Sequence, residues 1–409
     1  IPGTNFGPID YFETLKVWYY INTNKRYEMD NCNVSTKHTA INCNNKILDI
    51  SKGRTNFKWQ VEVDGIVSVE TSSTVSYDAP TITSLQNHNN LKTVGKELVI
   101  LNGINFGPTA TYAQLNDAND VGITKITYKS FENDIANLNF TASKCNVTIN
   151  NTEMQCWSSS GVGKKFKWKV VLQDLESDYS DNEETKYTNA IIDDIKTPNN
   201  KGIKPGEVTT VTITGSNFGP KLSEYGFDWP VTATYGQNVI DYNATNCTVT
   251  ESHTKIQCNS VDAENDKNRT NLKWQLTIAT VQSPESTVTV NMSSPRLDSF
   301  VGTKHKYLAT DGTDDITIKG EHLGATGSIV NNAKYESESS IFGDGNDNSP
   351  YTPTCEVLNN TFLQCKMVPG IGAFFKWSLD IMDQIAEEFS NYETAYEKPS
   401  VHALVIDNG

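Results

Sequence analysis

No stretch of this 409-residue chain approaches the roughly 18 to 20 consecutive apolar residues that a bilayer-crossing helix needs. The opening IPGTNFG has neither the basic nor the apolar region of a secretory leader. The chain as it stands reads as soluble, which leaves room for a leader removed before Ile1 and a membrane anchor beyond Gly409. A basic excess is missing too: 34 Lys and Arg face 49 Asp and Glu, a net charge of −15. Neutralising phosphates requires Lys and Arg in excess on some surface, so nucleic acid is not expected as a partner. H-E-x-x-H, G-x-S-x-G, Walker A and dinucleotide signatures are all absent. We therefore assign no catalytic residue and no cofactor, and expect a protein that is not an enzyme.

What is present is a repeat. NFGP occupies residues 5–8, 105–108 and 217–220, with a worn copy, HLGA, at 322–325. Each copy is followed by two cysteines: Cys32 and Cys43, Cys145 and Cys156, Cys247 and Cys258, Cys355 and Cys365. After each pair comes an aromatic or Leu followed by Lys-Trp, ending at Trp59, Trp168, Trp274 and Trp377. The copies lie 100, 112 and 105 residues apart, about the length of one all-β sandwich. Apolar residues alternate within each copy, as in Val211-Thr-Ile213 and Trp274-Gln-Leu276-Thr-Ile278, which marks half-buried strands. Recurrence of the four tryptophans points to core packing.

In CNVTINNTEMQC, placing Cys145 opposite Cys156 also places Val147 opposite Met154 and leaves Asn150-Asn151 as a two-residue turn. The same register suits Cys32 with Cys43 and Cys247 with Cys258. Four local disulfides are expected, each contributing about 2–3 kcal/mol for so short a loop. A zinc site is the rival reading, but structural zinc favours C-x2-4-C spacing and the six histidines do not track the cysteines. The stretch GDGNDN at 343–348 starts like a calcium loop and then lacks the Gly and closing Glu, so no metal is assigned. Paired cysteines fit an oxidising compartment. N-glycosylation sequons at Asn33, Asn139, Asn146, Asn150, Asn243, Asn246, Asn268, Asn291 and Asn359 fit the same compartment.

Two features break the repeat. Aligning Leu15 to Tyr19 on Val231 to Tyr235, and on a second-repeat strand containing Thr111 and Ala113, leaves Trp18 and Tyr20 on an outward face that is small and polar elsewhere. Large aromatics dominate interfaces, so Trp18 and Tyr20 are the candidate partner-binding residues; burial against a neighbouring domain or a further N-terminal strand is the competing reading. The second repeat also spends 37 residues between Pro108 and Cys145, against 24 to 30 in the others.

The strand ending in NFGP, the C-x-V…C hairpin, the Lys-Trp strand and the closing aromatic resemble the IPT/TIG domain, an immunoglobulin-like sandwich of the E-set type. VTITGSNFGP at 211–220 matches best and ITIKGEHLGATG at 316–327 departs most. The resemblance implies an all-β chain of four tandem sandwiches in an extended rod: 1–79, whose first strand is missing, 80–189 with an insertion, 190–294 and 295–398. Residues 399–409 then begin a further repeat or linker. Whether the first repeat is naturally short or was trimmed stays open. Tandem repeats in an Asn- and Thr-rich chain look most like the Tgr cell-surface proteins of social amoebae. That likeness implies a membrane-anchored ectodomain at the cell surface, mediating adhesion and heterophilic kin discrimination. The implied partner is a family member on a neighbouring cell, and homodimerisation is open. The alternative is a signalling-receptor ectodomain or secreted structural glycoprotein in which the rod is a spacer.

Overall fold

A computed structural model describes residues 1–20, 26–44, 55–111, 125–173, 175–181, 185–221, 223, 229–260, 269–337, 350–387, 389 and 393–402. The chain is all-β, a series of immunoglobulin-like sandwiches. The first repeat has β1 (Leu15–Tyr20), β2 (Arg26–Glu28), β3 (Asp30–Thr36), β4 (Ala40–Asn44), β5 (Lys58–Val63) and β6 (Ile66–Val67). They form the sheet β2-β1-β5-β6 and the hairpin β3-β4. The second has β7 (Thr81–Gln86), β8 (Asn89–Leu91), β9 (Leu98–Ile104), β10 (Lys125–Ser130), β11 (Asn139–Thr141), β12 (Ser143–Ile149), β13 (Glu153–Trp157), β14 (Phe166–Leu172), β15 (Leu175–Glu176) and β16 (Lys186–Tyr187). Its two main sheets run β12-β13-β9-β7 and β11-β10-β14-β15, the strand order of an immunoglobulin sandwich.

The third repeat has β17 (Ile191–Lys196), β18 (Thr210–Ser216), β19 (Val231–Gly236), β20 (Tyr242–Glu251), β21 (Lys255–Asn259), β22 (Lys273–Ile278) and β23 (Val281–Gln282). Here the ten-residue β20 pairs with both sheets and joins them into one of seven strands. The fourth has β24 (Arg296–Val301), β25 (Asp315–Glu321), β26 (Val330–Ser337), β27 (Thr354–Asn359), β28 (Phe362–Lys366), β29 (Phe375–Ile381) and β30 (Gln384–Ile385), in sheets β24-β25-β28-β27 and β26-β29-β30.

Each Lys-Trp strand places its Trp opposite a Tyr: Trp59 with Tyr19, Trp168 with Tyr128, Trp274 with Tyr235 and Trp377 with Tyr335. The last three pairs stack at 4.4, 4.5 and 4.9 Å between ring centroids. These three tryptophans are fully buried, while Trp59 is half-buried. This register corrects the alignment of the second repeat. The strand that pairs with the Lys-Trp strand is KITYKS around Tyr128; Thr111 belongs to no strand, and Ala113 lies outside the described residues. TATY at 109–112 imitates TATY at 232–235 and misleads by local identity, whereas the Tyr–Trp pairing fixes the equivalence. Relative to the third repeat, the extra length of the second falls on both sides of β10: Tyr128 lies 20 residues after Pro108 and 17 before Cys145, where Tyr235 lies 15 after Pro220 and 12 before Cys247.

All four disulfides form: Cys32–Cys43, Cys145–Cys156, Cys247–Cys258 and Cys355–Cys365. Val34 faces Ile41, Val147 faces Met154 and Val249 faces Ile256, as the spacing requires. The turns differ from expectation. Ile149 pairs with Glu153, so the loop is Asn150-Asn151-Thr152, with Asn151 left-handed at φ 61°. The register shifts between Val147 and Ile149, which lengthens the turn, and again beside the first cysteine, where Lys144 has φ 49°. The fourth hairpin pairs Cys355 directly with Cys365 and turns through Asn360-Thr361, which accounts for its one missing residue.

NFGP seats on these hairpins. The N–H groups of Phe6, Phe106 and Phe218 donate to the carbonyls of His38, Asn151 and His253, at 3.2, 3.2 and 3.1 Å. The Asn takes a left-handed conformation each time (φ 65°, 64°, 61°), and His322 does so in HLGA (φ 59°). The following side chain, Phe6, Phe106, Phe218 or Leu323, is buried. Three residues earlier a glycine is required: a Cβ on Gly103 would lie 2.0 Å from the Thr81 carbonyl and 2.4 Å from the Phe106 ring. The motif is a plug sealing one end of the sandwich.

The chain forms two compact units, residues 1–188 with 225–229 and 279–281, and residues 189–224, 230–278 and 282–409. Within the second unit, the third and fourth repeats lock together. Buried Arg269 donates to the carbonyls of His322 at 2.9 Å and Leu323 at 3.0 Å. Gln384 Nε2 donates to the Met292 carbonyl at 2.9 Å, and Asn360 Nδ2 to that of Pro205 at 2.8 Å.

Candidate recognition face

Outward positions on β1, β10, β19, β26 and their partners β5, β14, β22, β29 are equivalent across repeats, so they can be compared directly. In the first repeat they include Trp18 and Tyr20. Trp18 is not a free surface: its residue is 5% exposed, and the Arg26 guanidinium lies 4.4 Å from its ring centroid. Tyr20 is half-buried and its hydroxyl donates to Gln60 Oε1. Trp18 is thus covered from within its own repeat, by Arg26 of β2. Period two places Trp18 on the outer face but does not reveal that β2 delivers Arg26 over it.

The second repeat is different. Its outer positions carry Lys125 and Lys129 on β10, and Lys167 and Lys169 on β14. At the positions equivalent to these four lysines the third repeat has Thr232, Gly236, Lys273 and Gln275, and the fourth has Asn332, Glu336, Lys376 and Ser378. Lys129 lies directly opposite Lys167 in the antiparallel register, a like-charge placement that destabilises a sheet. Beside it stands an aromatic pair, Phe131 and Tyr179, edge to face at 5.2 Å, with Phe131 49% exposed. Lys167 Nζ is 5.4 Å from the Phe131 centroid and Lys169 Nζ is 5.7 Å from that of Tyr179.

Part of the charge is balanced. Lys165 pairs with Glu132 at 3.0 Å, and that bond holds the Glu132 carboxyl below its usual range. Lys169 bonds Glu176, which raises the lysine above its usual value. Lys167 donates to the Asp181 carbonyl at 3.1 Å. The Lys125 and Lys129 ammonium groups make no hydrogen bond or ion pair among the described residues. The face can therefore offer cationic donors flanked by an exposed ring, a combination suited to carboxylates with adjacent apolar surface.

Other expected site residues are distributed along the chain. Asn33 and Asn146 are half-buried, and Asn139, Asn150, Asn243, Asn246, Asn291 and Asn359 are exposed. Asn268 lies outside the described residues, as do 343–348 and the tail from 403. Among the described residues no three His, Cys, Asp or Glu side chains gather as a metal site. No described helix is long and apolar enough to cross a membrane. Sequence reasoning misses the lysine face because the false TATY alignment hides β10; the run Lys164-Lys165-Phe166-Lys167-Trp168-Lys169 is the available signal.

No family model and no curated protein sequence matches the chain. Among solved structures it is similar to one determined with a xylogluco-oligosaccharide, at 12% identity over 90% of this chain and 91% of that one, TM-score 0.24. It is also similar to SGBP-B from a xyloglucan utilization locus of Bacteroides uniformis (12% identity, 76% and 100% coverage, TM-score 0.21). A third is the chicken CNTN1 FN1-FN3 domains (11% identity, 78% and 99% coverage, TM-score 0.20). At these scores the likenesses carry nothing about a ligand of this chain.

Proposed function

We propose that this chain is an extracellular recognition ectodomain, without catalytic chemistry, that binds an acidic surface of a partner protein through the lysine and aromatic face of its second repeat. The observation that carries the reading is the opposed pair Lys129 and Lys167, which costs the sheet stability and has no acid between its members. Eight cysteines in four bridges support an oxidising compartment. The resemblance of the tandem repeats to the Tgr cell-surface proteins supports the finer reading: a membrane-anchored adhesion protein whose partner is a relative on a neighbouring cell, engaged heterophilically in allorecognition.

Lys129→Glu is the decisive variant, because the carboxylate it introduces can pair with Lys167. The melting temperature should hold or rise slightly, while adhesion of beads coated with the full chain to cells that produce it should fall about tenfold or more, equivalent to one lost ion pair with a partner. Unchanged adhesion would remove this face from recognition.

A further inference from the structure

A polar cleft of about 710 Å³ opens in the second unit, where the third repeat meets the fourth. Its volume is in the range of small-ligand sites, but its lining is mostly polar and includes no Phe, Tyr or Trp on which a free sugar could stack. A free ligand would bind such a cleft weakly. A ligand tethered at its rim is different, since a short tether supplies an effective concentration in the millimolar range.

The rim holds such an anchor. Asn291 is exposed, borders the cleft, and begins the sequon Asn291-Met292-Ser293. Of the described sequons it is the one that does so. Its Oδ1 accepts the Asn271 N–H at 2.9 Å, which fixes the amide plane and leaves Nδ2 without a hydrogen bond among the described residues. The backbone beneath it is held from both repeats. Ile203 N–H donates to the Asn291 carbonyl at 3.0 Å, Met292 N–H to the Arg269 carbonyl at 2.7 Å, and Gln384 Nε2 to the Met292 carbonyl at 2.9 Å. The cleft is also lined by Lys201 and Glu387, whose ammonium and carboxylate have no partner among the described residues and offer a donor and an acceptor from different repeats.

We propose that the first sugars of an N-linked glycan on Asn291 occupy this cleft and brace the third repeat against the fourth. In the modification, the Asn291 amide nitrogen bonds to C1 of a lipid-pyrophosphate-linked oligosaccharide. The C1–O bond breaks, the lipid pyrophosphate leaves with the electron pair, and the amide proton passes to the transferring enzyme. Ser293 Oγ, 4% exposed in residue terms, donates to the Lys201 carbonyl at 2.7 Å within the third repeat, so transfer precedes the folding of that repeat around the hydroxyl.

The proposal rests on the extracellular reading for the secretory route alone, and one experiment separates the two. The full chain is secreted from eukaryotic cells, its glycopeptides are mapped, and the folded protein is treated with an endoglycosidase. Asn291 should be occupied, and trimmed at least about tenfold more slowly than exposed Asn139, a factor equal to about 1.4 kcal/mol of protection. Asn291→Gln should speed amide exchange at residues 201–204. Glycan at Asn139 but none at Asn291, or equal trimming at both, overturns the cleft proposal. No glycan at any sequon removes the secretory reading itself. Should the Asn291→Gln variant not be secreted, the trimming comparison on the wild-type chain still decides.

Discussion

One hydroxyl separates the second and fourth cores from the third. Trp168 Nε1 donates to Thr185 Oγ1 at 2.6 Å and Trp377 Nε1 to Thr394 Oγ1 at 2.9 Å, whereas buried Trp274 Nε1 has no partner among the described residues. The position equivalent to Thr185 is Val290: Thr185 bridges Phe166 and Val290 bridges Leu272, each two residues before its Trp. Val290→Thr should supply the acceptor and stabilise the third repeat by about 1 kcal/mol, seen in chemical denaturation, and Thr185→Val should cost about 1–3 kcal/mol. His322 offers a second test. Burial lowers its pKa, and its Nδ1 is buried without a partner among the described residues. The folded state therefore binds the proton less well than the unfolded chain, so stability is full above the unfolded value near 6.5 and falls as pH drops below it. His322→Asn, which restores the residue of the other three copies and tolerates the left-handed backbone, should flatten the melting temperature between about pH 7.5 and 5. None of this is readable from spacing. Tryptophan recurrence announces a core, but whether an indole nitrogen is satisfied depends on a strand about seventeen residues on.

Among elements, the cysteine hairpins are legible to the residue pair, because two cysteines and an inward valine admit one register. Their turns are not, since a bulge costs no side-chain pattern and is invisible to alternation. The plug is a similar case. NFGP marks a bend by its Gly and Pro, but its docking on the hairpin carbonyls appears only once two distant segments meet. HLGA reads in the sequence as a worn copy, and its carbonyls turn out to be the seat of Arg269. Arg269→Met should leave two carbonyls unsatisfied in the junction and cost about 2–4 kcal/mol, lowering the melting transition of the second unit while leaving that of residues 1–188 in place.

For the whole molecule, charge is unevenly spread. Residues 295–409 hold 17 acidic and 8 basic side chains, while the second repeat concentrates lysines on one sheet face. Net charge argues against nucleic acid as a statement about bulk, but it conceals this local reversal of sign. Adhesion through an exposed face of this kind should weaken several-fold when NaCl is raised from about 0.05 to 0.5 M, as the Debye length shrinks from over 10 Å to about 4 Å. A salt-independent interaction would point to an apolar contact instead. The bridges have one more consequence, a mechanical one. Each joins two strands of a single hairpin, 10 or 11 residues apart, rather than tying sheet to sheet. If such a chain is pulled from its ends, each intact bridge withholds only about 35 Å of contour from the several hundred that an opened repeat can release. The crosslinks limit slack and leave the opening threshold to the strands that bear the load.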